Sequence, residues 1–487
     1  MVRVMIRLFL LFLFVFAPMA MGSVELWAFS VVELVILLMV TLWVLRSSPL
    51  NSPLFFKASY FVRGKQDTSD FLVQKSLDPS LFRTTLILLA LFLCLVLLQM
   101  VQLPSGLIEL LSPKAHELRY QLRAGSDSMA FIPLSLFPLG TKIEFFKWIT
   151  LSAFLLFLLR WRSSDESHRT TRQLILVILL MGFLESFYGM FQVFRGSGEA
   201  TFFTGTFASR NHLVGYLLMT IPLGIGLLFS VETSQVSSAS HWLHRLSFLD
   251  GKTLLLGFSI VVMILGLIVS ASRAGMLSLL LSLSLSLLLF YDIRNEKKLL
   301  KKSVLILGLA LVWAGWIGTS ALVDRFFAIS EDFKLRWVIW ENTLQILKDF
   351  PLFGSGLGAF AQIFPMYRTF HFRGLVTHAE NDFLQLASEV GLVGLGLLAI
   401  LFLFLFFKGG RRIRSETSPQ RYIGIGALTG ILALMFYSLV EKNLQVPANA
   451  LLYTLLWGLT ITPSVQKRRR QSDSMKRTQE ETDGRWN

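Results

Sequence analysis

Long apolar runs separated by short polar connections fill most of the chain. Crossing the hydrocarbon core of a bilayer takes about 20 apolar residues of helix. On that window about twelve spans are expected, at 4–21, 26–45, 84–102, 145–161, 173–194, 212–230, 253–270, 275–291, 303–320, 392–408, 422–439 and 447–463. The first run has Arg3 and Arg7 before it and Ala17-Pro18-Met19-Ala20 after it, which fits either a span or a signal peptide. Both leave Ser23 outside, so the later topology is the same. The expected fold class is an all-α polytopic membrane protein.

Two segments break the alternation of span and short connection. The first, 103–144, carries Pro104, Pro113, Pro133 and Pro138 and reads as irregular. The second, 321–391, is long enough to require structure or function of its own. Within it Phe333, Trp337, Trp340, Leu344 and Leu347 recur at spacings of four and three, the apolar stripe of an amphipathic helix. Ser330 suits its N-cap, with Glu331 and Asp332 in the first turn, and Pro351 ends it. The glycines of Phe353-Gly354-Ser355-Gly356-Leu357-Gly358 suit a tight turn. They lack the spacing and the preceding strand of a dinucleotide fingerprint. A second helix is expected from Thr377 to Val390, because Thr377-x-x-Glu380 has the form of a capping box. Gly391 marks the join to the next span.

Charge sharpens the topology. Only 16% of residues are charged and the mean hydropathy is +0.61, whereas soluble domains carry about 25% charged residues. With the N-terminus in the cytoplasm, the cytoplasmic connections hold 31 of the 46 Lys and Arg, as the positive-inside rule requires. The net charge of +15 is thus a topology signal and not a mark of nucleic-acid binding. The tail 464–487, with Lys467-Arg468-Arg469-Arg470, reads as a disordered basic anchor on anionic membrane lipid. Cys94 is the single cysteine, so neither an intrachain disulfide nor a thiolate metal site can form. The chain divides into an N-terminal membrane region, 1–204, a core with the last spans, 205–463, and the tail.

Ionisable residues gather at the outer ends of spans. As one helix, 253–291 would be roughly 58 Å long against a hydrocarbon core of about 30 Å. The chain must therefore turn near 270–275, which brings Arg273 to the outer surface. Arg210 lies at the outer mouth of another span, in Ala208-Ser209-Arg210-Asn211-His212. Each arginine suits a snorkelling interfacial residue on its own. Together, two guanidinium groups from separate turns suit one multiply charged anion such as a diphosphate. His378 and Glu380 are the candidate proton carriers, against helix-start and capping roles for the same residues. No Asp-x-Asp occurs, so an acidic metal pair has little support, and no metal or other cofactor is expected.

Several blocks resemble the O-antigen ligase-related family, which includes lipopolysaccharide O-antigen ligases and O-antigen polymerases. They are Gly205-Thr206-Phe207 with Arg210-Asn211-His212, and Ser272-Arg273-Ala274-Gly275. Further along come Arg336 with Trp340, then 351–358, then His378-Ala379-Glu380-Asn381-Asp382 through Gly391-Leu392-Val393-Gly394. The resemblance implies a membrane glycosyltransferase (GT-C-like) fold with a helical periplasmic loop, in a bacterial inner membrane. It implies a lipid-linked oligosaccharide or polysaccharide donor on undecaprenyl diphosphate, with a glycan, lipid A core or protein acceptor. It further implies inverting, metal-independent transfer, with Arg210 and Arg273 on the diphosphate and Asn211, Arg336, Trp340 and Asn381 in support. The family's catalytic histidine falls here on Glu380, so either Glu380 is the base, or His378 reaches in from two residues away, or the site is inactive. A solute transporter is the alternative of another class, and it would place ionisable groups at mid-membrane depth.

Overall fold

The computed structural model describes residues 2–47, 79–121, 130–161, 167–195, 203–236, 251–290, 330–371 and 374–461. It is helical throughout, apart from two short strands. In chain order the helices are α1 (Val2–Met19), α2 (Leu26–Ser47), α3 (Pro79–Met100), α4 (Ser105–Leu111), α5 (Pro113–Gln121) and α6 (Pro138–Trp161). Then follow α7 (Ser167–Arg195), α8 (Arg210–Val236), α9 (Gly251–Val269) and α10 (Arg273–Phe290). The last are α11 (Ser330–Asp349), α12 (Phe360–Tyr367), α13 (Asp382–Ser415), α14 (Arg421–Tyr437) and α15 (Pro447–Ile461).

Among the described residues seven helices are long and apolar enough to cross a membrane: α2, α3, α7, α8, α9, α10 and α13. Three shorter apolar helices, α1, α14 and α15, accompany them. Helix α6 covers the span expected at 145–161. The span expected at 303–320 and the tail 464–487 lie outside the described residues. The protein is a multi-pass membrane protein.

Helix α8 is the central element. Nearly nine-tenths of its apolar window is buried, 89% against 28–50% for the other long spans. It packs antiparallel on α14 through glycines. A Cβ on Gly226 would stand 2.4 Å from the Tyr422 carbonyl oxygen, and one on Gly426 would stand 2.3 Å from that of Pro222. Small residues at such crossings bring two backbones into dispersion contact, the main attraction available between helices in lipid. The crossing sets the first turn of α8, with Arg210, beside the last turn of α14, with Tyr437.

Within the segment 103–144, which the sequence leaves irregular, residues 103–121 and 130–144 are structured. Strands β1 (Gln102–Pro104) and β2 (Phe131–Pro133) pair antiparallel, with α4 and α5 between them. Ile108, Ile132 and Leu134 pack with Ile346, Phe350, Phe360 and Phe364 into a core separate from that of the spans. Each buried phenylalanine contributes on the order of 1.5–3 kcal/mol. This cap closes one face of the helix bundle. The sequence missed it because its strands are three residues long and its helices seven and nine.

The glycine-rich turn joins cap to bundle. Helix α13 is kinked at Gly391 (φ 65°, ψ −176°), and the turn 351–356 docks into the kink. Amides freed there are taken up by the turn: Leu392 donates to the Pro351 carbonyl at 2.8 Å and Val393 to that of Leu352 at 3.2 Å. In return the Ser355 and Gly356 amides donate to the Ser388 and Glu389 carbonyls. Gln99 of α3 locks the joint, donating to the Phe353 and Glu389 carbonyls and accepting from the Leu357 amide. Gly391 thus has two reasons to lack a side chain: its left-handed φ, and a Leu352 carbonyl oxygen 2.2 Å from where a Cβ would sit.

Candidate functional site

Helix α11 packs on α13, and its Arg336 reaches the turn that follows α14, near the ends of α8 and α10. Each is fixed by local chemistry. The turn before α8 is tied to α7 by Glu185, whose carboxylate accepts from the Thr206 amide (2.7 Å) and hydroxyl (2.6 Å). Gly205 is required there, since a Cβ would meet that carboxylate at 2.4 Å. So the Gly205-Thr206-Phe207 block holds the start of α8 and with it Arg210. Helices α9 and α10 are separated by a three-residue turn, 270–272, as their combined length demands, and α10 begins at Arg273.

Helix α13 begins at Asp382, not at Thr377. Its N-cap is Asn381, whose side-chain oxygen accepts from the Leu384 amide at 3.0 Å. The expected capping box is absent, and Glu380 is released from that role. Glu380 instead has a left-handed backbone (φ 52°), sparsely populated by residues other than glycine. Such strain persists where surrounding contacts over-determine it, and it clusters at functional sites.

Those contacts come from the turn between α14 and α15, residues 438–446, which the sequence passes off as an ordinary connection. Asp382 holds it: its carboxylate accepts from the Asn443 and Leu444 amides at 2.8 and 2.9 Å, and its own amide donates to the Ser438 carbonyl. Asn449 ties the turn to α8 through the His212 carbonyl. The turn thereby sets Glu441 and Lys442 against Glu380. The Lys442 ammonium lies 3.6 Å from a Glu380 oxygen. The Glu441 carboxyl feels that of Glu380 as a neighbouring like charge. Asn211 donates to Glu441 at 2.6 Å, and the Arg336 guanidinium reaches from α11 to both Glu441 and the Val440 carbonyl. Burial pushes the Glu441 carboxyl well above the usual carboxylate range, with Arg336 opposing and Glu380 reinforcing.

The two candidate bases differ in setting. His378 lies near Gln385 and Gln445. Burial, followed by the charge of Lys442, lowers its imidazole to about 3, so it is neutral and a weak proton acceptor. Glu380 keeps a quarter of its side chain open, 27%. Tyr437 links the arginine turns: its hydroxyl lies 3.1 Å from that of Ser272, the residue before Arg273, and Arg210 and Arg336 both act on it electrostatically. Of the expected supporting residues, Asn211 and Arg336 belong to this cluster. Asn381 serves as a cap, and Trp340 lies on α11 in the wall of an apolar groove. Sequence reasoning missed Glu441, Lys442 and Tyr437. The signal was the triplet Glu441-Lys442-Asn443 between two apolar runs. Among the described residues no three His, Cys, Asp or Glu side chains converge as a metal site.

Helix α11 spans Ser330–Asp349, the stretch its stripe predicts. That stripe does not face the cap core, however. Phe333, Trp337 and Leu344 are about half exposed, while Ile339, Thr343 and Ile346 are buried. Trp337, Trp340, Leu344 and Leu347 of the stripe form one wall of an open groove of about 380 Å³. Leu384, Ala387, Leu392 and Leu395 of α13 form the other wall, and Asn381, the residue after Glu380, and Leu439 also line it. The groove is mostly apolar and takes in the membrane-crossing part of α13 at Leu392 and Leu395.

Residues 258–399 match a family model described as O-antigen ligase. The match takes in Arg273, Arg336, His378 and Glu380, and leaves out Arg210 and Glu441. A stretch of 181 residues is 24% identical to the exopolysaccharide production protein ExoQ of Rhizobium meliloti (strain 1021). It covers 33% of this chain and 41% of that relative.

Proposed function

We propose that this chain, a member of the O-antigen ligase-related family, is a glycosyltransferase of the GT-C-like type. It moves a glycan from an undecaprenyl-diphosphate carrier to an acceptor hydroxyl at the periplasmic face of the inner membrane. One observation carries the proposal. A partly open carboxylate on a strained backbone stands 3.6 Å from Lys442, one residue ahead of an apolar groove that takes in the membrane-crossing part of α13. An isoprenoid tail suits the groove, and the diphosphate is then placed near the turns of Arg210 and Arg273. Glu380 takes the proton of the acceptor hydroxyl as its oxygen attacks the anomeric carbon. The bond from that carbon to the diphosphate breaks with inversion, and the arginines stabilise the charge on the leaving group.

A polymerase, in which the acceptor is itself a lipid-linked glycan, is the second reading, favoured by the printed name of ExoQ. Transport finds less support. The described ionisable cluster sits at helix ends, and the buried Glu185 is engaged by the Thr206 turn.

Two predictions test the donor site. Replacing Arg210 or Arg273 with Ala should raise KM for a polyprenyl-diphosphate donor at least tenfold, while EDTA leaves wild-type turnover unchanged. Metal-dependent turnover with unaffected arginine variants would show that another group holds the diphosphate. In the groove, Leu344→Glu should raise KM for a long-chain donor and leave that for a short-chain analogue unaltered. Equal effects on both would remove the groove from the donor site. Leu344 is 45% exposed, so the change spares the fold.

A further inference from the structure

A left-handed glutamate persists only where the residues around it are pinned. After Glu380 the pin is Asp382, whose amide donates to the Ser438 carbonyl at 3.0 Å. Before Glu380 it is Ala379, whose amide donates to the side-chain oxygen of Gln385 at 3.0 Å. We propose that Gln385 is a positioning residue for Glu380: backed by Glu389, it grips the residue ahead of the base and so fixes where the Glu380 carboxylate stands. The inference rests on the transferase role of Glu380 proposed above.

Gln385 and Glu389 are four residues apart and share one face of α13. The Gln385 side chain donates to a Glu389 carboxylate oxygen at 3.2 Å, and the same oxygen accepts from the Phe360 amide of α12 at 3.3 Å. With the Ala379 donor on one side and a carboxylate on the other, a single orientation of the Gln385 amide satisfies both. Gln385 and Glu389 are only 3% and 4% exposed, and Ala379 is fully buried. Water does not compete for these bonds, and an amide left without its partner there goes unsatisfied.

The anchor behind Gln385 is firm. The Ser388 carbonyl accepts from the Ser355 amide and hydroxyl at 2.9 and 3.1 Å. The Glu389 carbonyl accepts from the Gly356 amide at 3.0 Å and from Gln99 at 2.9 Å. A chain of bonds therefore runs from α3 and the glycine turn, through Glu389 and Gln385, to Ala379. The Ala379 methyl lies in the cap core with Phe360 and Phe364. Asn381 is held as the helix cap through the Leu384 amide. With 379, 381 and 382 each fixed, Glu380 is left the conformation (φ 52°) that sets its carboxylate 3.6 Å from Lys442. Placement matters to a base, since an error of about 1 Å can cost on the order of 10²-fold in rate.

Purified full-length protein in lipid nanodiscs is followed by residue-level amide hydrogen exchange and by kinetics with a lipid-linked donor. In wild type the Ala379 amide should exchange as slowly as the buried amides of α13. Exchange at the rate of an open turn overturns the proposal, and this arm needs no variant to fold. Gln385→Leu keeps much of the side-chain volume and removes both bonds. It should speed Ala379 exchange about tenfold, the equivalent of one lost hydrogen bond. It should lower kcat about 10–100-fold and leave donor KM unchanged, because Arg210 and Arg273 stand on other helices. Glu389→Gln can still accept from Gln385 and Phe360 and should keep most of the turnover, which separates a lost grip from general damage to the joint. In a Glu380→Gln background, Gln385→Leu should add little further loss. Unaltered Ala379 exchange in Gln385→Leu, or losses that multiply in the double variant, overturn the positioning role. Faster exchange with full turnover in both Gln385→Leu and Glu380→Gln upholds the grip and instead removes Glu380 as the base, so the two failures are distinguishable.

Discussion

Glu380→Gln should lower turnover about 10²–10⁴-fold with a lipid-linked donor, the usual range for loss of a general base. Fold and donor affinity should be retained. The side chain is not needed as a helix cap, because Asn381 fills that role. Gln is close in shape to Glu and can still accept from Lys442, but it cannot take a proton from the acceptor. His378→Gln is the paired control and should be the milder change. Its imidazole is buried and lowered to about 3, so at neutral pH it has little affinity for a proton. Gln in its place loses packing more than chemistry. The measurement is turnover and KM of both variants in one purified system. Near-normal turnover in Glu380→Gln would end the general-base assignment, and a harsher loss in His378→Gln would transfer it to the histidine.

What was legible in the sequence follows the range of the interactions concerned. Apolar runs of span length are local, and the described helices fall where those runs lie. The turn between α9 and α10 follows from length alone. The start of α13 does not. Thr377-x-x-Glu380 has the form of a capping box, yet Asn381 is the cap used, and the choice is made 61 and 62 residues away, where Asp382 binds the amides of Asn443 and Leu444. The stripe on α11 is legible as a stripe, but periodicity does not tell a protein core from an open groove. Glu441 and Lys442 gain their meaning only from the α8–α14 crossing, which no local pattern encodes.

Arg336→Met should cost about 3–5 kcal/mol of stability above pH 7, the range for leaving one member of a buried ion pair unpaired. Arg336 is mostly buried, its partner more so, with side-chain exposures of 23% and 6%. Methionine keeps much of the length of the side chain and removes its charge. The loss should depend on pH, with a definite sign. Glu441 is raised to about 7 in the folded protein, above its unfolded value of about 4.3, so folding favours its protonated form. The stability contributed in this way is full below the unfolded value and is lost as pH rises through about 7. Removing Arg336 takes away the charge that opposes the shift, so the window moves upward. At pH 5.5 Glu441 in Arg336→Met stays neutral and the deficit is small; at pH 8.5 it must ionise without a partner and the deficit is full. Glu441→Gln added to Arg336→Met should recover much of the loss at pH 8.5, because a buried amide needs hydrogen bonds but no counter-charge. Thermal melts of the four proteins at the two pH values decide this. An equal loss for Arg336→Met at both, unrelieved by the second change, would mean that Arg336 acts through packing and its bond to the Val440 carbonyl, not through the charge of Glu441.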